Sequence, residues 1–470
     1  MDALVIGAGF GGLGAALTLA EQGARVTVLE ALTDPGGCAS TFEKKGRRFE
    51  AGATLFAGFD EGQLFARWIA EHHMAVTLRR LDPVIQFRTP EGGLDVPADR
   101  DALIARLCAL PGAPVAGIHS FYARQAQVAD VLWRSFDAPA RLPPFGAGGL
   151  AAQLRDTPDL ATLLPLLRRP LASLLAKHGL MNFRPFTAWL DALCQITVQV
   201  GIRDVEAPLA LAALDFPFRG ARHIDGGVGR LAEAMVAAIR ARGGEVRFAE
   251  RARSIRRDGD WVVETRHGPL RSPRVIANVL PGALTTLLGQ PLPSLQRLQS
   301  RVDVGWGAVM LYLVGPEGPS TPHHVEIVQD IDQPYVEGNH LFVSRGDAGT
   351  TTVSTHLAMA RLRTSPDPGA LVAEVQANMW RGLRRFAPEI VDDVQAHYPG
   401  SPRTFARFTR RPEGLVGGVP RRAGLANYTD VWPAAVAPGL WLVGDSVFPG
   451  QSTLATAIGG KKVAEAAIGG

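Results

Sequence analysis

Cysteine is scarce in this chain. Cys38, Cys108 and Cys194 are the only three in 470 residues, and no two of them form a CxxC pair. An odd, widely spaced set excludes a disulfide framework and suits a reducing compartment. Long apolar runs are also missing, and none reaches the roughly eighteen residues that a membrane span needs. HExxH, paired-carboxylate and RNP-type motifs are absent, as are zinc-knuckle spacings and aromatic-interleaved basic stretches, which leaves metal catalysis and nucleic-acid binding without support. His72-His73 and His323-His324 are sequence neighbours rather than i, i+4 partners, so they are expected at the surface and no metal is expected. The net charge of +4 and pI near 9.1 come mostly from scattered arginines, in pairs such as Arg168-Arg169 and Arg421-Arg422. Such scatter reads as a solvated surface, with some attraction to anionic lipid head groups.

What remains is an ordinary folded composition, 46% hydrophobic and 20% charged, with length for two or three domains. The informative part is glycine. Gly7-Ala8-Gly9-Phe10-Gly11-Gly12 follows the apolar run Ala3-Leu4-Val5-Ile6 and precedes Leu13 to Glu21, which reads as a helix. Arg25-Val26-Thr27-Val28-Leu29-Glu30 then alternates like a strand and ends on an acid. Strand, glycine turn, helix, strand and carboxylate make a dinucleotide-binding βαβ unit. Gly7 permits the tight turn, Gly9 lets backbone approach a pyrophosphate, and Gly12 lets helix pack on strand. The helix N-terminus offers free N–H groups to the phosphates, and Glu30 is placed to accept ribose hydroxyls. The motif starts so early that no signal or transit peptide is expected before it, and a cytosolic or cytosol-facing location follows.

The choice of dinucleotide rests on the other end of the chain. Gly439-Leu440-Trp441-Leu442-Val443-Gly444-Asp445-Ser446 reads as a strand ending in an acid. Pro449-Gly450-Gln451-Ser452-Thr453 and a small-residue helix to Ala467 follow. A carboxylate at a strand tip beside a second helix N-terminus suits a polyol next to a pyrophosphate, as in the ribitol diphosphate of FAD. FAD is therefore the expected cofactor, with Gly444, Asp445, Gly450, Ser452 and Thr453 among its contacts.

Between these ends the pattern suggests an α/β fold, α+β overall: a Rossmann-like FAD-binding domain with an inserted substrate domain of antiparallel sheet plus helices. The cofactor domain is expected from residues 1–85, 215–289 and 431–470, with Pro35-Gly36-Gly37-Cys38 looping past the adenosine and pyrophosphate. Phe49 to Thr54 is expected as a strand toward the flavin, with Thr54 as a contact. Residues 86–214 read as helical and apolar, broken at Pro143-Pro144 and Gly146 to Gly149, and 290–430 as the antiparallel floor of a substrate cavity. Within the helical segment, Leu160, Leu163, Leu164, Leu167, Leu171, Leu174 and Leu175 fall on one face, interrupted by Pro165 and Pro170. That face covers either the substrate-domain core or a surface dipping into a bilayer.

The sequence resembles the carotenoid desaturases and isomerases, phytoene desaturase-like proteins of the amine-oxidase-like flavoprotein superfamily. The resemblance is carried by Gly7 to Gly12 with Glu30, Pro35 to Ser40, Phe49 to Ala53, Asp225 to Phe248 and Leu442 to Thr453. Gly414 to Pro420 is similar to isomerase-type members; Leu341 to Ser344 with Val353 to His356 is similar to carotenoid 3',4'-desaturases. It implies that Asp445 binds the ribitol, Glu30 the adenosine ribose, and the Ala252 backbone the adenine. Cys38 departs from the pattern, since many members carry Arg after the double glycine, and this leaves the pyrophosphate to backbone N–H groups.

The resemblance also implies desaturation of a long polyene, including 3',4'-desaturation of a hydroxylated carotenoid, by hydride transfer to flavin at the cytoplasmic face of a membrane. That chemistry asks for a water-free apolar tunnel rather than reactive side chains, and no catalytic base is evident. Three alternatives stay open: a carotene cis–trans isomerase or polyene saturase, a flavin amine oxidase, and a non-catalytic isoprenoid-binding protein. Oligomeric state is unread.

Overall fold

Parallel strands need covered faces and crossover helices, and the first thirty residues supply both. In a computed structural model that describes residues 2–137, 151, 154–155, 157–317, 322–431 and 435–469, they form β1 (Asp2–Ile6), α1 (Phe10–Glu21) and β2 (Arg25–Leu29). The glycine breaks at 143–149 lie outside the described residues. A six-stranded sheet grows around this unit. On one side lie β9 (Glu245–Arg247) and β2; on the other, β13 (Val275–Ala277), β21 (Leu440–Leu442) and the edge strand β20 (Ala435–Ala437). All neighbours are parallel except β20, and the central strands are buried on both faces, as a crossover sheet requires. Distant segments thus build one sheet.

Glycine sets the helix packing on this sheet. A Cβ on Gly12 would sit 2.0 Å from the Gly7 carbonyl oxygen. One on Gly460, in the helix Thr453–Gly469, would sit 2.0 Å from the Gly11 oxygen, and one on Gly14 would sit 2.6 Å from that of Ala457. The first and last helices therefore touch backbone to backbone.

The second sheet has eight strands. Its order is β18 (Ala396–Gly400), β14 (Trp306–Val314), β17 (Thr350–Ala358), β16 (His340–Arg345), β15 (His324–Val328), β6 (Ile85–Thr89) and β7 (Gly92–Val96), with β19 (Leu415–Val416) also on β14. Pleat alternation divides its faces. Val309, Leu311, Val325, Ile327, Leu341, Val343 and Val353 pack beneath against Leu371, Val375, Met379 and Leu383 of the helix Pro368–Phe386. Ala308, Met310, His340, Phe342, Ser354 and His356 point the other way, into the cavity described below.

Several expectations need correction. Residues 86–96 are not helical but form the β6–β7 hairpin, turned at Pro90-Glu91 and extending the substrate sheet by a parallel pairing with β15. The helices of the segment expected to be helical begin at Arg100. The strand expected through Thr54 stops at Glu50, where β4 (Arg47–Glu50) ends its pairing with β3 (Thr41–Lys44). The leucine face is split after Leu166 into a 3-10 segment, Pro158–Leu166, which contains Pro165, and a helix, Leu171–Lys177, capped by Pro170. Leu163, Leu166, Leu171, Leu174 and Leu175 are core, whereas Leu164 is 56% exposed. The smaller sheets pair β5 (Leu78–Arg80) with β8 (Arg222–Ile224), and β10 (Ser254–Asp258) with β11 (Asp260–Thr265) and β12 (Gly268–Ser272). The helix Gly229–Ala241, which follows the Gly226-Gly227 turn, starts with the Val228 N–H donating to the Glu50 carboxylate and the Gly229 N–H to the Thr41 hydroxyl.

Candidate active site

A cavity of about 610 Å³ runs from the carboxyl ends of the parallel strands to the upper face of the antiparallel sheet. Gly7, Gly9, Phe10, Gly11, Glu30, Gly36, Gly37, Cys38, Thr54, Ala252, Gly444, Asp445, Gly450, Ser452 and Thr453 all line it. Ala8 and Gly12 do not. Ala8 is fully buried behind the loop and donates its N–H to Glu30 Oε2 at 2.6 Å, and Gly12 is a packing glycine. The sites chosen at the two ends of the sequence therefore meet in space.

Glu30 ends β2, and its Oε1 also accepts from the Leu32 N–H at 2.9 Å. Burial raises its carboxyl above the ordinary range, and the N–H donors of Ala8 and Leu32 pull it back. At the next crossing, Asn278 at the tip of β13 explains the glycines. A Cβ on Gly9 would fall 2.7 Å from its Nδ2, and Cβ atoms on Gly11 and Gly444 would fall 2.9 and 2.8 Å from its Oδ1. Any side chain at these three positions would displace Asn278. The sequence hinted at Asn278 only as a polar residue closing a short apolar strand.

Two buried guanidinium groups stand near Asp445. Arg411 Nη2 forms an ion pair with Asp445 Oδ2 at 2.9 Å. Arg421 Nη2 donates to the carbonyls of Val447 and Pro449 at 3.3 and 3.2 Å and so holds that loop, while its Nη1 has no partner. Burial lowers the Arg421 guanidinium to about 10, and Asp445 opposes the shift. Burial likewise raises the Cys38 thiol, with Arg411 opposing. Neither arginine carries a local sequence signal, because both are set beside Asp445 by the fold.

The floor is more polar than a hydrocarbon tunnel requires. His340 Nε2 lies 2.9 Å from Glu326 Oε1, and both residues are buried. His356 takes the Gln195 amide at 3.1 Å and stacks on Trp306; burial, with His340 nearby, lowers its imidazole to about 3. His323 and His324 are not at the surface as expected but buried at the start of β15, and burial takes His324 to about 3. His223, Asp225 and Asp347 bring ligand atoms within 4.8 Å of one another, but Arg79 already pairs with both carboxylates, at 2.7 and 2.9 Å.

A Rossmann sheet joined across one cavity to an antiparallel floor is the architecture of the amine-oxidase-like flavoprotein fold. The model of the NAD(P)-binding Rossmann-like domain matches residues 5–71. Over the whole length, the chain is 26% identical to prolycopene isomerase 2 of Oncidium hybrid cultivar, covering 98% of this chain and 82% of that protein. It is also 26% identical to the hydroxyneurosporene desaturase of Cereibacter sphaeroides, over 99% and 97%. A redesigned putrescine oxidase shares the fold, with a TM-score of 0.66 at 14% identity over 100% and 99% of the two chains. These similarities support the resemblance to carotenoid desaturases and isomerases that the motifs carry. No helix among the described residues is long and apolar enough to cross a membrane.

Proposed function

We infer that this protein is an FAD-dependent oxidoreductase that desaturates a carotenoid. The observation carrying the cofactor reading is the set of buried polar atoms without a hydrogen-bond partner along one cavity: Glu250 Oε1, Arg421 Nη1 and Thr453 Oγ1. A buried polar atom without a partner costs about 1–3 kcal/mol, and a ligand with hydroxyls and a diphosphate would remove that cost at several of these positions. Glu30 and Ala252 would hold the adenosine, Gly9, Gly11, Gly36, Gly37 and the two arginines the diphosphate, and Asp445 the ribitol. Thr54, Ser452 and Thr453, which line the same cavity, would face the flavin. When bound, FAD supplies a two-electron acceptor. The chain's own work is to position a long apolar molecule over the sheet floor and keep water out. The parts that do this are cofactor-binding residues 1–85, 215–289 and 431–470 and the sheet of 290–430, which the β6–β7 hairpin extends.

A carotenoid resides in lipid, since each buried CH₂ contributes about 0.8 kcal/mol. A lipid-resident substrate favours peripheral association with a membrane, which we assign to its cytoplasmic face from the sparse, unpaired cysteines, and the exposed Leu164 beside buried leucines is the contact we assign to it. Cis–trans isomerisation is the second reading, favoured by the full-length similarity to prolycopene isomerases.

Pigment analysis separates the two. The protein is produced in a bacterium accumulating hydroxyneurosporene and, separately, in one accumulating prolycopene. A red-shifted product two hydrogens lighter supports desaturation. Unchanged mass with an altered cis band moves the assignment to isomerase. Flavin-loaded protein that changes neither pigment refutes a carotenoid substrate.

A further inference from the structure

The cavity floor holds a buried acid–base pair that a purely apolar tunnel has no use for. His340 starts β16 and Glu326 lies on β15, where Val328 is the residue directly opposite His340. Glu326 is therefore the diagonal neighbour on the same face, close enough for side chains to meet. They do, with Nε2 and Oε1 2.9 Å apart. Glu326 is completely buried, His340 is 3% exposed, and His340 also lines the cavity. A carboxylate on Nε2 fixes the imidazole tautomer with hydrogen there and leaves the lone pair on Nδ1. The same carboxylate would stabilise an imidazolium once Nδ1 took a proton.

The pair is also tied to the far end of the cavity. The antiparallel register that sets Phe342 against Ser354 places His356 across from His340 when carried one step further. His356 stacks on Trp306, whose indole N–H donates to the Gln199 carbonyl at 2.9 Å. The Gln199 amide donates to Gln451 at 2.8 Å, within the Pro449–Thr453 loop. Ring stacking and two hydrogen bonds thus connect His356 to the Pro449–Thr453 loop. The titratable groups around His340 are Glu326 on β15, His356 on β17, Asp191 on the helix Arg184–Thr197, and Tyr335, whose ring centroid is 5.9 Å away.

We propose that His340, oriented by Glu326, is the proton-transfer residue of this site. The proposal rests on the oxidoreductase reading above. In desaturation, C–H bonds on two neighbouring carbons break. Bound FAD would supply the two-electron acceptor for the hydride leaving one carbon; the other carbon gives its proton to His340 Nδ1, and that C–H electron pair becomes the new C=C bond. His340 is the catalytic residue and Glu326 the positioning residue. General-base assistance of this kind typically contributes about 10²–10⁴-fold.

The test is single-turnover flavin reduction by hydroxyneurosporene in liposomes, across pH, with flavin-loaded parent, His340→Ala, Glu326→Gln and the double variant His340→Gln/Glu326→Gln. The double variant keeps a neutral hydrogen-bonded pair and guards against misfolding; flavin content and melting temperature report folding. His340→Ala and the double variant should reduce flavin at least about 100-fold more slowly with flavin retention unchanged. Added imidazole should partly restore His340→Ala. The pH–rate profile of the parent should differ from that of Glu326→Gln, a difference that a merely structural role for Glu326 would not produce. A folded double variant within three-fold of the parent at all pH values overturns the dyad while leaving the oxidoreductase reading intact. A flavin-loaded parent that turns over no carotenoid overturns the underlying reading and this assignment with it.

Discussion

Replacing Glu50 with glutamine should stabilise the protein at alkaline pH and remove a pH dependence that the parent carries. Glu50 ends β4 and reaches across to the start of the helix Gly229–Ala241. It accepts from the Val228 N–H at 2.8 Å and from the Thr41 hydroxyl at 3.0 Å, and Thr41 accepts from the Gly229 N–H at 2.8 Å. Burial pushes this carboxyl from its ordinary 4.5 up to about 7, with the Val228 and Thr41 donors and Arg48 opposing and Asp347 adding to the rise. A folded value above the unfolded one means that the folded chain keeps a proton the unfolded chain has released. The stabilisation is therefore complete below about pH 4.5 and is lost as pH rises through about 7. At about 1.4 kcal/mol per pH unit, the gap corresponds to about 3 kcal/mol. The residue as a whole is only half-buried, although its carboxyl is enclosed, so solvent screening reduces this to about 2 kcal/mol. Glu50→Gln keeps an acceptor for Val228 and presents an amide to Thr41 without a charge to desolvate. Guanidinium unfolding followed by tryptophan fluorescence at pH 5 and pH 8 measures the difference. The parent should lose about 2 kcal/mol more than the variant between the two pH values. Equal losses would refute the reasoning that the buried carboxylate at the helix start carries this cost.

Other predictions concern the cavity and its walls. Asp445→Ala should weaken flavin retention by about 10- to 100-fold, the range for losing a charged hydrogen bond of about 1.5–3 kcal/mol, and an unchanged dissociation constant in a fluorescence titration would remove its ribitol role. Gly460→Val should destabilise by about 1–3 kcal/mol or more, because its side chain must enter the Gly11 backbone; an unchanged melting temperature would show that the two helices separate freely. Leu164→Asp should leave the melting temperature within a degree or two and lower binding to anionic liposomes, whereas Leu171→Asp, at a fully buried position, should unfold the protein. Unaltered liposome binding by Leu164→Asp would return that leucine to the ordinary surface.

The parts of the site that were legible in the sequence are those with a local cause. The strand–glycine–helix–strand order from Ala3 to Glu30 depends on period and on turn residues adjacent in the chain, and the Leu440–Thr453 segment on the same cues. Asn278, Arg411 and Arg421 carry no such cue, since their roles arise only where β13, the Arg411 loop and the Arg421 loop converge on Asp445. The His340–Glu326 pair was hidden for a related reason. Alternation marks both strands, but only the register between β15 and β16 says which residues are diagonal neighbours. The misread helical start at 86–96 follows from judging a short hairpin by the helices after it, when a strand from elsewhere completes its sheet. The burial of the His323-His324 pair was not legible because adjacency in sequence does not reveal that β15 lies between β16 and β6.

The backbone contact between the first and last helices has a consequence for how the protein comes into being. On a ribosome, the glycine face of α1 emerges early and waits for a partner that emerges late. β1 waits about 270 residues for β13, and β13 in turn lacks β21 until the end of the chain is made. Pairings this remote in sequence are costly to close, so the cofactor-binding half is expected to mature after the antiparallel floor, whose strands β14 to β17 are contiguous in sequence. A chain cut short before residue 440 would keep its glycine fingerprint and have no second wall to set against it. Capture of the dinucleotide would then mark a finished molecule, and its binding energy would add to a fold already closed on itself.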